Sequence, residues 1–207
     1  MEIVAEQLGK KFGREWIFRK LNMFFSPGKP FAVIGGNGSG KSTLLKLLAG
    51  SLAPSEGTIR YSMAGKAVEN DQLYQHICWV APYTEVIEEF TLNELIDFYL
   101  QFKKLIVPRQ EFIWLTGLKH AADQPIKNYS SGMKQKVKLG LAMFSEVSLL
   151  LLDEPTTNFD QANTEWYRYH IQQIDHIATI LIASNQQHEI DFCEHACRIE
   201  DFKWKKT

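Results

Sequence analysis

The sequence predicts an α/β fold: a mostly parallel sheet covered on both faces, an N-terminal antiparallel β lobe beside it, and an inserted helical subdomain. Three observations carry this prediction. Short β-branched and aromatic runs alternate with helical periodicity along the 207 residues. Residues 149–152 are four consecutive leucines and residues 178–183 read ATILIA, runs apolar enough for central strands that are buried on both faces. The first 62 residues differ: EIVAEQL, WIFRKLNMFF and GTIRYS alternate in polarity and are split by turn signals such as Pro27-Gly28, the pattern of antiparallel strands.

The elements follow in order. PFAVI reads as a strand leading into a glycine-rich stretch, and STLLKLLAG after it reads as a helix ending at Gly50. From about 84 to 128 the pattern turns helical. Thr91 and Glu94 stand at capping-box spacing before LIDFYLQF, and Pro108 suits the first turn of a helix over EFIWL. NYSSGMKQKVKLGLAMF resumes the core as a helix with Met133, Val137, Leu141 and Phe144 on one face and Ser130 or Ser131 as its N-cap. LLLLDEP and TILIAS then supply two buried strands.

Bulk properties narrow the function classes. Apolar residues make up 45% and charged residues 23%, with a formal net charge of −1, so overall charge favours neither nucleic acid nor an acidic membrane. Charges at Glu2, Glu6, Lys10, Lys11 and Arg14 leave no apolar core for a signal peptide, and no run approaches the length of a membrane span, so a cytoplasmic location is expected. No linker or repeat interrupts the chain, which reads as one domain over 1–207. Cys193 and Cys197 would share a face if helical, with His188 and His195 nearby. Zinc sites prefer tighter cysteine pairs and a second pair elsewhere, so these two and Cys78 are expected to be buried free thiols.

The chemistry concentrates in GGNGSGKST. Gly35, four residues, then Gly40-Lys41-Ser42 match the phosphate loop G-x-x-x-x-G-K-[ST] between a strand and a helix, which makes the core that of a P-loop NTPase. A dinucleotide fingerprint fails, because counting from Gly36 or Gly38 puts Lys41 or Thr43 where its last glycine belongs. A nucleophile elbow around Ser39 fails because Asn37 and Lys41 stand where its glycines belong. The loop spanning Gly35, Gly36, Asn37, Gly38, Ser39, Gly40, Lys41, Ser42 and Thr43 is therefore expected to wrap its amides around a polyphosphate, aided by the helix dipole. Lys41 would reach the β- and γ-phosphates, and the Ser42 hydroxyl would ligate magnesium. At the end of LLLLDEP, Asp153 is placed to hold that Mg2+ and Glu154 to orient and deprotonate the attacking water.

With GGNGSGKST, YSSGMKQK, LLLLDEP and TNFD in this order, and a helical insert between the first two, the chain resembles the ATP-binding subunits of ABC transporters over nearly its whole length. The resemblance implies that ATP is bound between two such domains facing head to tail, as a homodimer or a heterodimer. Ser130, Ser131 and Gly132 of YSSGM then stand where the signature closes on the partner's ATP, keeping Ser130 and Gly132 of the usual LSGGQ. It also implies that Phe12 stacks on adenine and that Asp160 links the two sites. A separate integral-membrane permease, with this subunit peripheral on the inner face of the membrane, follows from the same resemblance, which extends to haem-exporter ATP-binding components. The cluster Tyr83, Val86, Ile87 and Phe90, beside Glu85, Glu88 and Glu89, reads either as a dock for a permease helix or as internal packing.

Two positions depart from the family. Pro82 or Tyr83 falls where a glutamine is usual, and neither supplies a side-chain amide near magnesium. Asn185 stands where a histidine usually contacts the γ-phosphate; it can donate a hydrogen bond without carrying charge, and His188 lies three residues on. Slow but real turnover is expected, with Glu154, Lys41 and Asn185 as the catalytic groups. The competing expectations are a soluble ATP-gated dimerising module and a regulatory protein that binds ATP without hydrolysing it.

Overall fold

A computed structural model describes residues 1–28, 30–174 and 178–203. Strands β1 (Glu2–Phe12) and β2 (Glu15–Phe25) form a hairpin, and β3 (Phe31–Ile34) runs through the glycine-rich loop into α1 (Lys41–Leu48). Next come β4 (Glu56–Met63), β5 (Lys66–Val68), α2 (Leu73–His76), β6 (Ile77–Val80), α3 (Leu92–Tyr99), α4 (Arg109–Leu115) and α5 (Ser131–Met143). The described chain closes with β7 (Leu149–Asp153), α6 (Gln161–Gln173), β8 (Thr179–Ser184), α7 (Gln187–Ile190) and β9 (His195–Arg198).

Two sheets result, as the sequence predicts. One is antiparallel with strand order β2-β1-β4-β5, and the other has order β6-β7-β8-β3-β9 with every pair parallel. Within the first 62 residues only β3 leaves the antiparallel lobe, pairing with β8 and β9. The polarity alternation of β1 is imperfect because its register shifts between Ala5 and Leu8 and again up to Lys11, with Gln7 at a left-handed φ of 48°, the signature of bulges that twist a strand.

The leucine run explains itself in the packing. Leu149 and Leu151 face a core shared with α1 and the antiparallel lobe, through Leu44, Leu48, Ile3 and Leu21. Leu150 and Leu152 face the opposite side, against Leu139 and Met143 of α5 and Tyr167 and Ile171 of α6. A strand buried on both faces needs an apolar residue at every position. Each such side chain contributes about 1.5–3 kcal/mol by leaving water.

The helices between β6 and β7 gather around their own cluster, where Leu92, Ile96 and Phe112 meet Val137, Leu141 and Phe144. Thr91 caps α3 in a complete box: its hydroxyl accepts from Glu94 N, and the Glu94 carboxylate accepts from Thr91 N at 2.8 Å. Pro108 stands one position before α4 rather than within its first turn; its ψ of 152° is extended, and its carbonyl accepts from Phe112 N. Cys197 lies on strand β9 rather than on a helix, so the expected shared helical face with Cys193 does not form. All three cysteines are free thiols, Cys78 and Cys197 buried as expected and Cys193 only half-buried, and among the described residues no group of three or more His, Cys, Asp or Glu is placed to hold a metal ion. No helix among the described residues is long and apolar enough to cross a membrane.

Candidate functional site

The parallel pairing sets the place of the site. Ile34 is level with Ser184, and Asp153 with Ala183, so the ends of β3, β7 and β8 reach one edge together. Open parallel sheets place ligands at this carboxyl edge. Here residues 37–43 and Glu154, with Ile17 from β2, line a cavity of about 370 Å³.

The loop conformation depends on its glycines. Gly40, the residue before α1, has φ 113°, and a Cβ there would lie 2.5 Å from Ile17 Cγ2. Ser39 N donates to Gly36 O at 3.1 Å, and the helix ladder begins with Leu44 N donating to Gly40 O at 2.9 Å. The N–H groups of Lys41, Ser42 and Thr43 therefore open the first turn with no acceptor inside the helix, and no side chain caps it. Bare amides plus the positive end of a helix dipole make an anion site. Lys41 has a side chain only 5% exposed. Its ammonium donates to Gly35 O at 2.9 Å and Gly36 O at 3.3 Å, and stands 3.9 Å from Glu154 Oε1.

Asp153 and Glu154 are adjacent yet differently placed. Asp153 is 2% exposed, and its Oδ2 is buried without a hydrogen-bond partner. Burial pushes its carboxyl above the ordinary range, opposed by a hydrogen bond from Ser42 and by the charges of Lys41 and Lys46. A buried carboxylate oxygen beside a hydroxyl fits a hard, oxygen-seeking divalent cation such as magnesium. Glu154 is half-buried in the cavity, at a left-handed φ of 47°. Such a backbone costs about 1–3 kcal/mol for a residue with a side chain, and the surroundings must hold it. They do so through Glu154 N to Ala183 O at 2.8 Å and Thr157 Oγ1 to Glu154 O at 2.8 Å.

Other sequence-predicted residues lie around this centre. Asn185 meets the loop at its rim, its amide donating to Asn37 Oδ1 at 3.3 Å. His188 is engaged elsewhere, within 3.0 Å of Thr156 Oγ1, and does not line the cavity. Phe12 ends β1 with its ring 52% exposed and Lys10 Nζ 5.2 Å from its centroid, outside the cavity lining, where Ile17 is the apolar wall. Ser130 is the N-cap of α5, its hydroxyl accepting from Met133 N at 3.2 Å; Ser131 is exposed, and Gly132 packs close to Asn158 O. Asp160 caps α6 by accepting from Asn163 N at 2.8 Å.

Pro82 and Tyr83 form a turn after β6. The Tyr83 ring packs edge-on against Trp79 at 5.8 Å with Lys46 Nζ 4.8 Å from its centroid. Burial and the charge of Asp153 push its hydroxyl up to about 12. The expected four-residue dock divides. Val86 and Ile87 line a cleft of about 260 Å³ with Leu95, Phe98 and Lys138, whereas Tyr83 lies outside that lining and Phe90 packs into the helical cluster against Phe98. Glu88 is paired with Lys134 at 2.7 Å.

Besides Ile17, three polar groups escaped sequence reasoning. The fully buried Glu189 accepts from Thr156 N at 2.7 Å and from its hydroxyl at 2.5 Å, fixing the turn after Glu154. Gln135 of α5 donates to Pro155 O at 2.7 Å. Glu200 accepts from Gly36 N at 2.7 Å. Each lies far along the chain from its partner, and no local spacing announces it.

The family model for ABC transporters matches residues 18–157. The chain is 28% identical over 200 residues to the uncharacterized ABC transporter ATP-binding protein YdbJ of Bacillus subtilis, a match covering 94% of this chain and 65% of that protein. It is 27% identical over 197 residues to the lantibiotic transport ATP-binding protein SrtF of Streptococcus pyogenes, covering 90% and 81%. The chain thus spans just under two thirds of the first relative and about four fifths of the second. A solved structure of the ATP-binding subunit of an ABC transporter superposes with TM-score 0.79 at 22% identity, over 97% of this chain and 87% of that one, a likeness of fold.

Proposed function

This chain belongs to the ABC transporter family, and from that premise we propose that it binds and hydrolyses ATP, pairs head to tail with a second ATP-binding domain, and drives a separate integral-membrane permease. The observation that carries the proposal is the single cavity in which the bare amides of the loop, Lys41 and Glu154 converge above the buried Asp153. Relatives named as transport ATP-binding proteins support the class of work. Residues 1–207 act in it as one ATP-binding domain, with the helices of about 84–128 as its subdomain, on the inner face of the membrane.

In this account the loop amides and the α1 dipole hold the β- and γ-phosphates, and Lys41 turns from its loop carbonyls to their oxygens. Ser42 and Asp153 hold Mg2+, which when bound supplies positive charge to the phosphate oxygens. Glu154 accepts the proton of the water that attacks the γ-phosphorus in line with the leaving ADP oxygen. Asn185 donates its amide to the γ-phosphate in place of Asn37. Ser130, Ser131 and Gly132 present the start of α5 to the partner's nucleotide, with Asp160 at the dimer seam. Phe12 covers the adenine beyond Ile17. The Val86–Ile87 cleft, with Glu85 at its edge, takes a permease helix with basic flanks.

Turnover is slow in this account, because neither Pro82 nor Tyr83 supplies an amide and Asn185 lacks a charge at the γ-phosphate. Losing one oriented electrostatic contact costs about 10²-fold or more in rate. Steady-state phosphate release tests the reading: the wild type exceeds Glu154→Gln, which still binds nucleotide. Equal release from the two would remove the catalytic claim and leave a protein that binds ATP for regulation.

A further inference from the structure

Behind the phosphate loop stands a carboxylate that the proposed reaction does not use. Glu200 belongs to the short 3-10 turn Ile199–Phe202, 164 residues from the loop it touches, where its Oε1 accepts from Gly36 N at 2.7 Å. Its Oε2 is buried without a partner, and so is the hydroxyl of Ser39. Both atoms lie against Gly35. A Cβ on that glycine would meet Ser39 Oγ at 2.5 Å and Glu200 Oε2 at 2.8 Å. An orphan donor and an orphan acceptor thus flank one spot that only glycine leaves open. Ile199 of the same turn closes on the loop as well, 2.8 Å from that point.

The Gly36 N–H holds the Glu200 carboxyl below the ordinary carboxylate range, so it is charged at neutral pH. A fixed negative charge behind a loop built for a polyphosphate repels the ligand. Its direct electrostatic effect on binding therefore has the wrong sign, and its hydrogen bond to Gly36 N must account for its place.

We propose that Glu200 is a positioning residue that holds the phosphate loop through Gly36 N, with its second oxygen and the unpartnered Ser39 hydroxyl both lying against Gly35, and so sets the loop amides before nucleotide arrives. The proposal rests on the nucleotide-binding reading above and adds a residue to it. A loop already ordered spares the ligand the entropy of ordering it, which for a few backbone residues exceeds the repulsion from one partly screened charge.

Clamp and repulsion predict opposite signs. In calorimetric titration of the full chain with Mg-ATP, the clamp predicts that Glu200→Ala binds about tenfold more weakly, the scale of one charge-assisted hydrogen bond. Glu200→Gln, whose amide oxygen still accepts from Gly36 N, stays closer to the wild type. Hydrogen–deuterium exchange without nucleotide provides a second readout: amides of residues 35–40 exchange faster in Glu200→Ala than in the wild type or Glu200→Gln. Variants that bind as tightly as the wild type or more tightly, with exchange unchanged, overturn the clamp. Faster exchange in Glu200→Ala together with a wild type that takes up no Mg-ATP supports the clamp and sinks the nucleotide reading instead.

Discussion

His170 of α6 is buried among the ring edges of Phe144, Trp166 and Tyr169, each with its centroid 5.1–5.2 Å away. Burial, and then the nearby charge of Lys136, lower its pKa below the ordinary 6.5. Unfolded, the imidazole takes a proton near 6.5; folded, it does so only at lower pH. Between those two values the unfolded state holds more protons, so stability declines as pH falls through that window. Thermal melts at about pH 7.5 and about pH 5.5 check this, with the wild type losing more than His170→Leu. An equal loss in both would assign the pH dependence to other groups. At this scale the sequence is legible where one short motif carries all the chemistry: Lys41, Ser42, Asp153 and Glu154 could be named from two stretches. It is silent where a side chain acts across the fold. Ile17, Glu189 and Glu200 meet the site only because β2, α7 and the turn after β9 are brought there by the sheets, and no residue beside them in sequence reveals it.

Helix starts are the elements most firmly written in the sequence, because caps are local. Thr91 and Glu94 make the box their spacing predicts, and the same contacts hold the Glu94 carboxyl below its ordinary range, with the Thr91 N–H as the leading cause. Thr91→Ala removes the side-chain acceptor for Glu94 N and should cost about 1 kcal/mol, read as a lower urea midpoint with an unchanged slope. An unchanged midpoint would mean that the helical cluster holds α3 without its cap. The buried strands β7 and β8 were equally legible, since uniform apolar runs of that length have few other uses. Strand β9 was not, being four residues, HACR, with only Cys197 buried. Helix α6 was missed for a related reason: QANTEWYRYHIQQ buries only Tyr167, His170 and Ile171, too few apolar positions to mark a helical stripe. The dock rests on apolar residues beside acids close together in sequence, and the chain turn at Pro82 and Tyr83 separates residues that are close in sequence.

At the scale of the molecule, strand order does what no single motif can. By placing β3 beside β8 and β8 beside β7, the parallel sheet carries the phosphate loop and the Asp153-Glu154 pair, more than a hundred residues apart, to one edge. The antiparallel lobe adds Ile17 as the cavity's apolar wall, and Gln135 ties α5 to the turn after Glu154 through Pro155 O. We propose that nucleotide binds at this edge of one chain and that a second chain closes its γ-phosphate side. We propose that Pro82 or Tyr83, together with Asn185, slows turnover relative to the family's usual pattern and leaves binding intact. Binding is the central claim, and calorimetric titration with Mg-ATP of the wild type and Lys41→Ala tests it most directly. The account predicts a saturable heat from the wild type and affinity at least about tenfold weaker in the variant, which loses charge-assisted hydrogen bonds to phosphate. Absence of heat from the wild type, or equal affinity in the two proteins, would contradict it.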